Sequence, residues 1–336
     1  MWIYSYSDHV SLDELCRREV SDPIPGSHDV VLKMRAASLN YRDLAIARGH
    51  YHVAVNPPLI PLSDGAGEVA AVGSNVTRVC IGDLACPVFL PNWIDGPISE
   101  RAGKRRLGGP DDGVLAEYLC LNEEEVVRMP DYLDAVEAAT LPVASVTAWH
   151  SIYELGTLRP GETIVVLGSG GVSTAAIQLA HAGGARVIVV TRRDEFKARL
   201  VELGADEVIT GSDSDAWPQM TNTLTHGAGA DVVVDVLGGP SLARSIAALG
   251  RRGVVHLVGY AADTSATFDI FDAIRHGTTI HVATAGSRTN FESLLRAFGQ
   301  KMIRPAVAKT FPVAKIKETF EELSKGGHLG KIVLTF

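Results

Sequence analysis

Residues 165–196, VVLGSGGVSTAAIQLAHAGGARVIVVTRRDEF, carry a glycine pattern whose spacing serves phosphate binding. Gly168, Gly170 and Ser173 fit G-x-G-x-x-G with serine in the third place. The first glycine permits a tight turn, the second lets backbone approach a pyrophosphate, and a small third residue lets the helix pack on the strand. Gly171 and Val172 then open a helix whose free N–H groups and positive dipole end favour phosphate. The second apolar run ends in Thr191, Arg192 and Arg193, with Lys197 a turn later. An NAD site usually ends this strand in Asp or Glu, whereas cationic and hydroxyl groups suit the 2′-phosphate of NADP(H). Asp194 and Glu195 are the rival acidic candidates, but they lie past the expected strand end, where they can cap the next helix.

Another chemistry competes for the same residues. GVSTA (171–175) approximates the G-x-S-x-G nucleophile elbow, with Asp235 and His256 as available acid and base. In an elbow the serine stands on the turn itself. Here the strand is expected to finish near Leu167, so Ser173 falls inside the first helical turn and hydrolysis is disfavoured.

The elements around this turn read as alternating strands and helices. TIVVLG, RVIVVT, EVIT, ADVVVDVLGG and VVHLVGY are short Val/Ile-rich runs separated by amphipathic stretches, the texture of βαβ units and a parallel sheet. Before residue 125 short apolar runs alternate with Gly, Pro, Asn and Asp clusters, which suits twisted antiparallel strands in a barrel-like lobe. Residues 91–113 show no clean periodicity and read as a surface loop. The expected division is 1–124, 125–284 for the parallel-sheet domain, and 285–336 returning to the first lobe.

Composition narrows the function classes. The chain has 336 residues, 46% of them hydrophobic and 21% charged, as in an ordinary globular protein. A net charge of −8 disfavours an extended nucleic-acid surface. Arg101, Lys104, Arg105 and Arg106 form one basic cluster without interleaved aromatics, read as a solvated loop or as a weak attractor of an anionic cofactor. No apolar run approaches the ~18 residues of a membrane span, and the N-terminal residues lack a signal pattern, so a cytoplasmic protein is expected. Cys16, Cys80, Cys86 and Cys120 are too scattered for a zinc knuckle or a disulfide framework.

With these motifs in hand, the chain resembles the medium-chain dehydrogenase/reductase superfamily, and within it the zinc-independent, quinone-oxidoreductase-like branch. The resemblance runs through AASLNYRDLAIARGHY (36–51), PLIPLSDGAGEVAAVGSNVTRVCIGD (58–83), DGVLAEYLCL (112–121), AATLPVASVTAW (138–149), the glycine turn, and GKIVL (330–334). It implies an α/β protein with a GroES-like β-rich catalytic domain, completed by the C-terminal segment, and a Rossmann doubly wound parallel-sheet cofactor domain, with the active site in a cleft. It also implies a homodimer or homotetramer joined in part near TTIHVATAG. Zinc-dependent relatives carry a cysteine where this chain has Asn40 and Gly-His-Glu where it has Ser63-Asp64-Gly65, so no metal is expected. A lysine that often meets the 2′-phosphate aligns with Phe196, leaving Arg192, Arg193 or Lys197 to replace it.

The resemblance further implies roles for particular residues. Asn40 and Thr147 orient the nicotinamide or the substrate carbonyl, and Gly259 and Tyr260 sit where the sheet edge meets the nicotinamide. Tyr51 lies in a segment where enoyl-reductase relatives carry a tyrosine proton donor, with a cleft-wall role as the alternative. His50, His52 and His150 are weaker relay candidates. Without a metal, a conjugated acceptor is the expected substrate, because it spreads the charge that hydride addition builds on an isolated carbonyl oxygen. An NADPH-dependent reductase of quinones or α,β-unsaturated carbonyl compounds is therefore expected. Its alternatives are a zinc-independent alcohol dehydrogenase-like enzyme and a non-catalytic NADPH-binding sensor.

Overall fold

The structure is a computed structural model, and it describes residues 1–156, 158–211 and 216–336. The chain forms two compact units, Met1–Val146 with Gly286–Phe336, and Thr147–Ala285. The first unit contains β1 (Trp2–Ser5), β2 (Cys16–Glu19), β3 (Asp29–Ser38), β4 (Asp64–Val72), β5 (Leu84–Pro87), β6 (Tyr118–Asn122) and β7 (Val126–Arg128). The second contains β8 (Thr163–Leu167), β9 (Arg186–Val190), β10 (Glu207–Ile209), β11 (Ala230–Asp235), β12 (Leu249–Leu257) and β13 (Thr279–Val282). The chain then returns to the first unit with β14 (Val307–Pro312) and β15 (Lys331–Thr335).

In the first unit β14, β15, β3, β4, β5 and β7 follow one another across a sheet, with β6 also pairing β3. All its pairs are antiparallel except β14 with β15. β3 reads DVVLKMRAAS and is nearly all buried, because β4, β6 and β15 surround it. Its apolar side chains join Leu59, Leu62, Leu115, Phe320 and Leu334 in one core. Segment 91–113 is less irregular than expected. Ser99 accepts from the Ala102 N–H at 3.1 Å and caps a short helix, Glu100–Lys104, and Trp93, Ala102 and Leu107 are buried.

The division of the chain needs one correction. Residues 125–146, expected with the parallel sheet, belong to the first unit. β7 closes the antiparallel sheet against β5, and the buried Ala138, Ala139 and Leu141 extend that packing. The boundary falls inside a helical run, where the α-helix Val146–Trp149 is flanked by π-helical turns at Leu141–Ser145 and His150–Leu155. The helical segments that follow β7, beginning at Ala135–Ala138, therefore pack with the first unit up to Val146.

The second unit is a six-stranded parallel sheet in the order β10-β9-β8-β11-β12-β13. Counted within the unit this is 3-2-1-4-5-6, the Rossmann order, whose switch point lies between its first and fourth strands, β8 and β11. Val165, Ile188, Val233 and Val255, from four adjacent strands, form the centre of its core. Runs buried on both faces explain why these strands read as continuous Val/Ile stretches rather than alternating ones. No helix among the described residues is long and apolar enough to cross a membrane.

Candidate active site

The glycine turn leaves the C-terminal end of β8, beside the switch point. Gly168 has φ +80°, a turn conformation that side chains resist. Gly170 precedes the helix Gly171–Ala182 with φ −75°, and a Cβ added there would meet nothing within 4 Å. That open space is what a backbone cradle for a phosphate requires. Ser173 does the packing job, since its Oγ donates to the Leu167 carbonyl at 2.7 Å and the residue is buried. The residues therefore fit a dinucleotide. They do not form a nucleophile elbow: Ser173 is inside the helix, and the Asp235 carboxylate is occupied by the Leu237 and Gly238 N–H groups and by Ser245 Oγ.

The other cofactor candidates stand along the same sheet edge. β9 runs parallel to β8 and ends at Val190, whose carbonyl accepts from the Gly168 N–H at 2.8 Å. Thr191 follows, buried, with its Oγ1 accepting from the Arg193 N–H. Arg192, Arg193 and Lys197 are exposed, and Arg193 is 3.3 Å from Glu195. Asp194 and Glu195 lie in the 3-10 turn Asp194–Phe196, past the strand end as expected. Gly259 comes just after β12, where a Cβ would stand 2.1 Å from the Val236 carbonyl oxygen. Backbone packing alone therefore accounts for glycine there. Tyr260 follows it, half-buried. Thr147 is buried at the head of the second unit, and its carbonyl accepts from Ser151 Oγ.

In the first unit Asn40 lies within a polar cluster assembled by the sheet. Ser38 and Asp64 are direct cross-strand partners of β3 and β4, and the Leu39 N–H donates to the Ile332 carbonyl of β15. This register carries Lys331, the first residue of β15, to Asn40 and Asp64. The Lys331 ammonium donates to Asn40 Oδ1 and, at 3.2 Å, to Asp64 Oδ2. Asn40 Nδ2 donates to the same Asp64 oxygen at 2.9 Å and lies 3.4 Å from Ser63 Oγ. Ser38 Oγ is also 3.4 Å from Asp64 Oδ2. The side chains of Lys331 and Asp64 are 6% and 0% exposed. Asp64 Oδ1 is buried with no hydrogen-bond partner among the described residues.

The donor set does not fit a zinc ion. It offers one carboxylate, an amide whose oxygen already faces an ammonium, and hydroxyls, with no thiolate or imidazole at Asn40 or at Ser63-Asp64-Gly65. Among the described residues no group of three or more His, Cys, Asp or Glu side chains is arranged to hold a metal.

The helix Tyr41–Ala47 begins at this cluster and leads to Tyr51. The Asp43 carboxylate accepts the Asn40 backbone N–H at 2.7 Å. Burial raises its pKa to about 6 despite the neighbouring Arg42 guanidinium. Arg42 is itself buried, donating to the Leu107 and Gly109 carbonyls and lying over the rings of Tyr51 and Phe89. Tyr51 Oη accepts from Arg42 Nε at 3.4 Å and from Arg106 Nη1 at 3.5 Å. With guanidinium groups supplying the donors to this oxygen, its own proton is free to be donated elsewhere. His52 is 3.2 Å from Arg106, and its pKa is lowered by partial burial and by that cation. His50 is exposed. His150, in the second unit, has its pKa lowered by burial.

Sequence reasoning missed Lys331, Arg42 and Ser38, and it read Arg106 as part of a loop cluster. Of that cluster Lys104 and Arg105 do pair with acids, whereas Arg106 reaches Tyr51 and His52. The signal for Lys331 was available, because a lysine that opens an apolar strand such as KIVLT is out of place unless something buried receives it.

Comparisons with known proteins agree with the fold. Residues 26–131 match the family described as alcohol dehydrogenase GroES-like domain, and residues 171–300 match that described as zinc-binding dehydrogenase. The chain is 35% identical to a zinc-type alcohol dehydrogenase-like protein of Schizosaccharomyces pombe, over 98% of both chains. It is 31% identical to acryloyl-coenzyme A reductase of Metallosphaera sedula, over 95% of each. Among solved structures, a putative alcohol dehydrogenase from Sinorhizobium meliloti superposes with a TM-score of 0.92 at 33% identity, covering 100% of this chain and 99% of the other. Matched end to end in both sequence and fold, the chain belongs to the medium-chain dehydrogenase/reductase superfamily of nicotinamide-dependent oxidoreductases.

Proposed function

We propose that the chain is an NADPH-dependent reductase of quinones or α,β-unsaturated carbonyl compounds that works without zinc, in the quinone-oxidoreductase-like branch of its superfamily. The observation that carries this reading is the Lys331–Asn40–Asp64 cluster, which offers amide N–H and ammonium donors in place of a metal's ligands. Such donors suit an acceptor that delocalises its developing charge through an enolate or a hydroquinone anion. The nicotinamide, when bound, supplies the hydride. Gly168, Gly170, Gly171, Val172 and Ser173 would hold the pyrophosphate, with Thr191, Arg192, Arg193 and Lys197 toward the 2′-phosphate. Tyr51 would donate the proton that completes enone reduction, its oxygen held by Arg42 and Arg106. The likeness to an acryloyl-coenzyme A reductase is in keeping with a conjugated carbonyl substrate.

The names of the alcohol dehydrogenase relatives favour a second reading, an alcohol dehydrogenase, which with this chain's donor set would work without zinc. One experiment separates the two. NADPH oxidation with quinones and enones supports the reductase; NADP-dependent oxidation of simple alcohols, with enones inert, supports the dehydrogenase. Tight NADPH binding without turnover of any acceptor would instead leave a sensor.

The same reading includes a homodimer or homotetramer in the cytoplasm, with all four cysteines as free thiols. β13 is an edge strand with Val282 75% exposed, and the helix that precedes it in the chain, Ile270–His276, exposes Ile270, Phe271 and Ile274. A second copy adding its own edge strand would cover this face. Phe271→Asp should lower the sedimentation-derived mass, and an unchanged monomer in both forms would remove the proposal.

A further inference from the structure

We infer that Lys331 is a positioning residue for reduction, a buried cation that fixes the Asn40 amide so that its N–H group faces the substrate oxygen. This rests on the reading of the first unit's polar cluster as the substrate-polarising site.

An asparagine amide can sit in two orientations that differ in which atom accepts and which donates. At Asn40 the choice is forced. Lys331 carries only donors, so the atom facing it must be Oδ1, and Nδ2 turns toward Asp64 and Ser63. The opposite orientation would set amide hydrogens against ammonium hydrogens in a buried place. One Nδ2 hydrogen is donated to Asp64 at 2.9 Å, and the other makes only a long hydrogen bond to Ser63 Oγ at 3.4 Å, which an incoming acceptor can displace. The ammonium on Oδ1 also draws electron density from the amide, making that N–H a stronger donor to a developing enolate oxygen.

One further observation sets the cluster apart from a structural ion pair. A buried pair kept for stability satisfies its remaining lone pairs, yet Asp64 Oδ1 is buried with no partner among the described residues. The cluster itself is fixed by the fold, since Lys331 and Asn40 lie 291 residues apart in sequence and meet only where β15 sits beside β3 in a single register. A slip of one residue would turn Lys331 to the opposite face of the sheet.

The test uses Asn40→Ala, Lys331→Met and the double variant, with Lys331→Gln as a variant that keeps one hydrogen-bond donor if the methionine form does not fold. Enone kcat, measured at saturating NADPH, should fall about 100-fold in Lys331→Met, within the range for losing one oriented donor. In the Asn40→Ala background the same change should cost less than about threefold, because residues acting through one another are non-additive. Losses that multiply would show that Lys331 acts independently of Asn40 and would overturn the inference. A second readout needs no turnover. In protein labelled with 15N-asparagine, the side-chain amide pair assigned by its absence in Asn40→Ala should shift and lose its protection from exchange in Lys331→Gln. An unchanged pair would also overturn the inference. If the parent protein reduces no quinone or enone, the functional reading falls, and the amide signal still decides the role of Lys331.

Discussion

The two units treat buried polar groups differently. The first buries acidic and basic side chains against each other, Lys331 with Asp64 and Arg42 with Asp43. The second keeps its candidate phosphate-binding cations exposed at Arg192, Arg193 and Lys197, gives its buried carboxylate, Asp235, backbone N–H and serine hydroxyl partners, and buries a histidine. Neither ring nitrogen of that residue, His256, has a hydrogen-bond partner among the described residues, and its ring stacks on His281 at 5.6 Å. Burial, with smaller contributions from His281 and His150, lowers its pKa to about 4, so at neutral pH it is uncharged. The second unit thus offers backbone and open space to a ligand, which costs it little stability, whereas the first maintains a preorganised polar constellation whose members depend on one another.

This contrast can be broken at graded points. Asp64→Ala should have the largest effect, since it leaves the Lys331 ammonium buried without its carboxylate. The expected loss is about 3–5 kcal/mol, read from urea unfolding. A loss below about 1 kcal/mol would show that the pair is not held as described. His256 comes next. Its folded pKa is depressed, so as pH falls from about 6.5 toward 4 the unfolded chain takes up a proton that the folded chain refuses. Stability attributable to this group should be full above pH 6.5 and drop by about 3 kcal/mol by pH 4. The difference between the parent and His256→Leu, followed by urea midpoints at several pH values, should contain this slope; parallel profiles would remove it.

Smaller effects separate chemistry from binding. Tyr51→Phe should lower enone kcat about 100-fold, within the range for a general acid, while quinone reduction suffers much less because hydroquinone oxygens take protons from water. Parental enone rates in this variant would make Tyr51 a wall of the site and no more. Arg192→Ala should weaken NADPH binding about tenfold, the low end for a charge-assisted contact, and leave NADH binding and the unfolding midpoint unchanged. Equal effects on both cofactors would move the 2′-phosphate contact to another residue.

The parts of the molecule that the sequence makes legible are those that are local in the chain. Gly168, Gly170 and Ser173 lie within six residues of one another, and each has one mechanical job that its residue type announces. The parallel sheet shows itself in uninterrupted Val/Ile runs, because those strands are covered on both faces. The polar cluster is a different case. Asn40 and Asp64 stand out by their positions, but Lys331 is distant in sequence and is brought to them only by the β3–β15 register. Arg106 sits in a segment whose basic run suggested solvent, and only the fold turns that one side chain toward Tyr51 while its neighbours pair with acids. The unit boundary was misplaced for a related reason, since a helix can cross from one unit to the next without any break in its periodicity.

The position of β15 in the chain has a consequence for biosynthesis. The second unit is continuous, so it can fold as soon as it has left the ribosome. The first unit cannot finish until all of the second has been made, because one edge of its sheet is built from the returning segment. Until then Asn40 and Asp64 have no ammonium to answer them, and the edge of β3 that β15 later covers stands open. The nascent chain therefore acquires its parallel-sheet unit first and its buried polar cluster last, and the interval between them is when its unpaired strand edge is most open to chaperones and to aggregation.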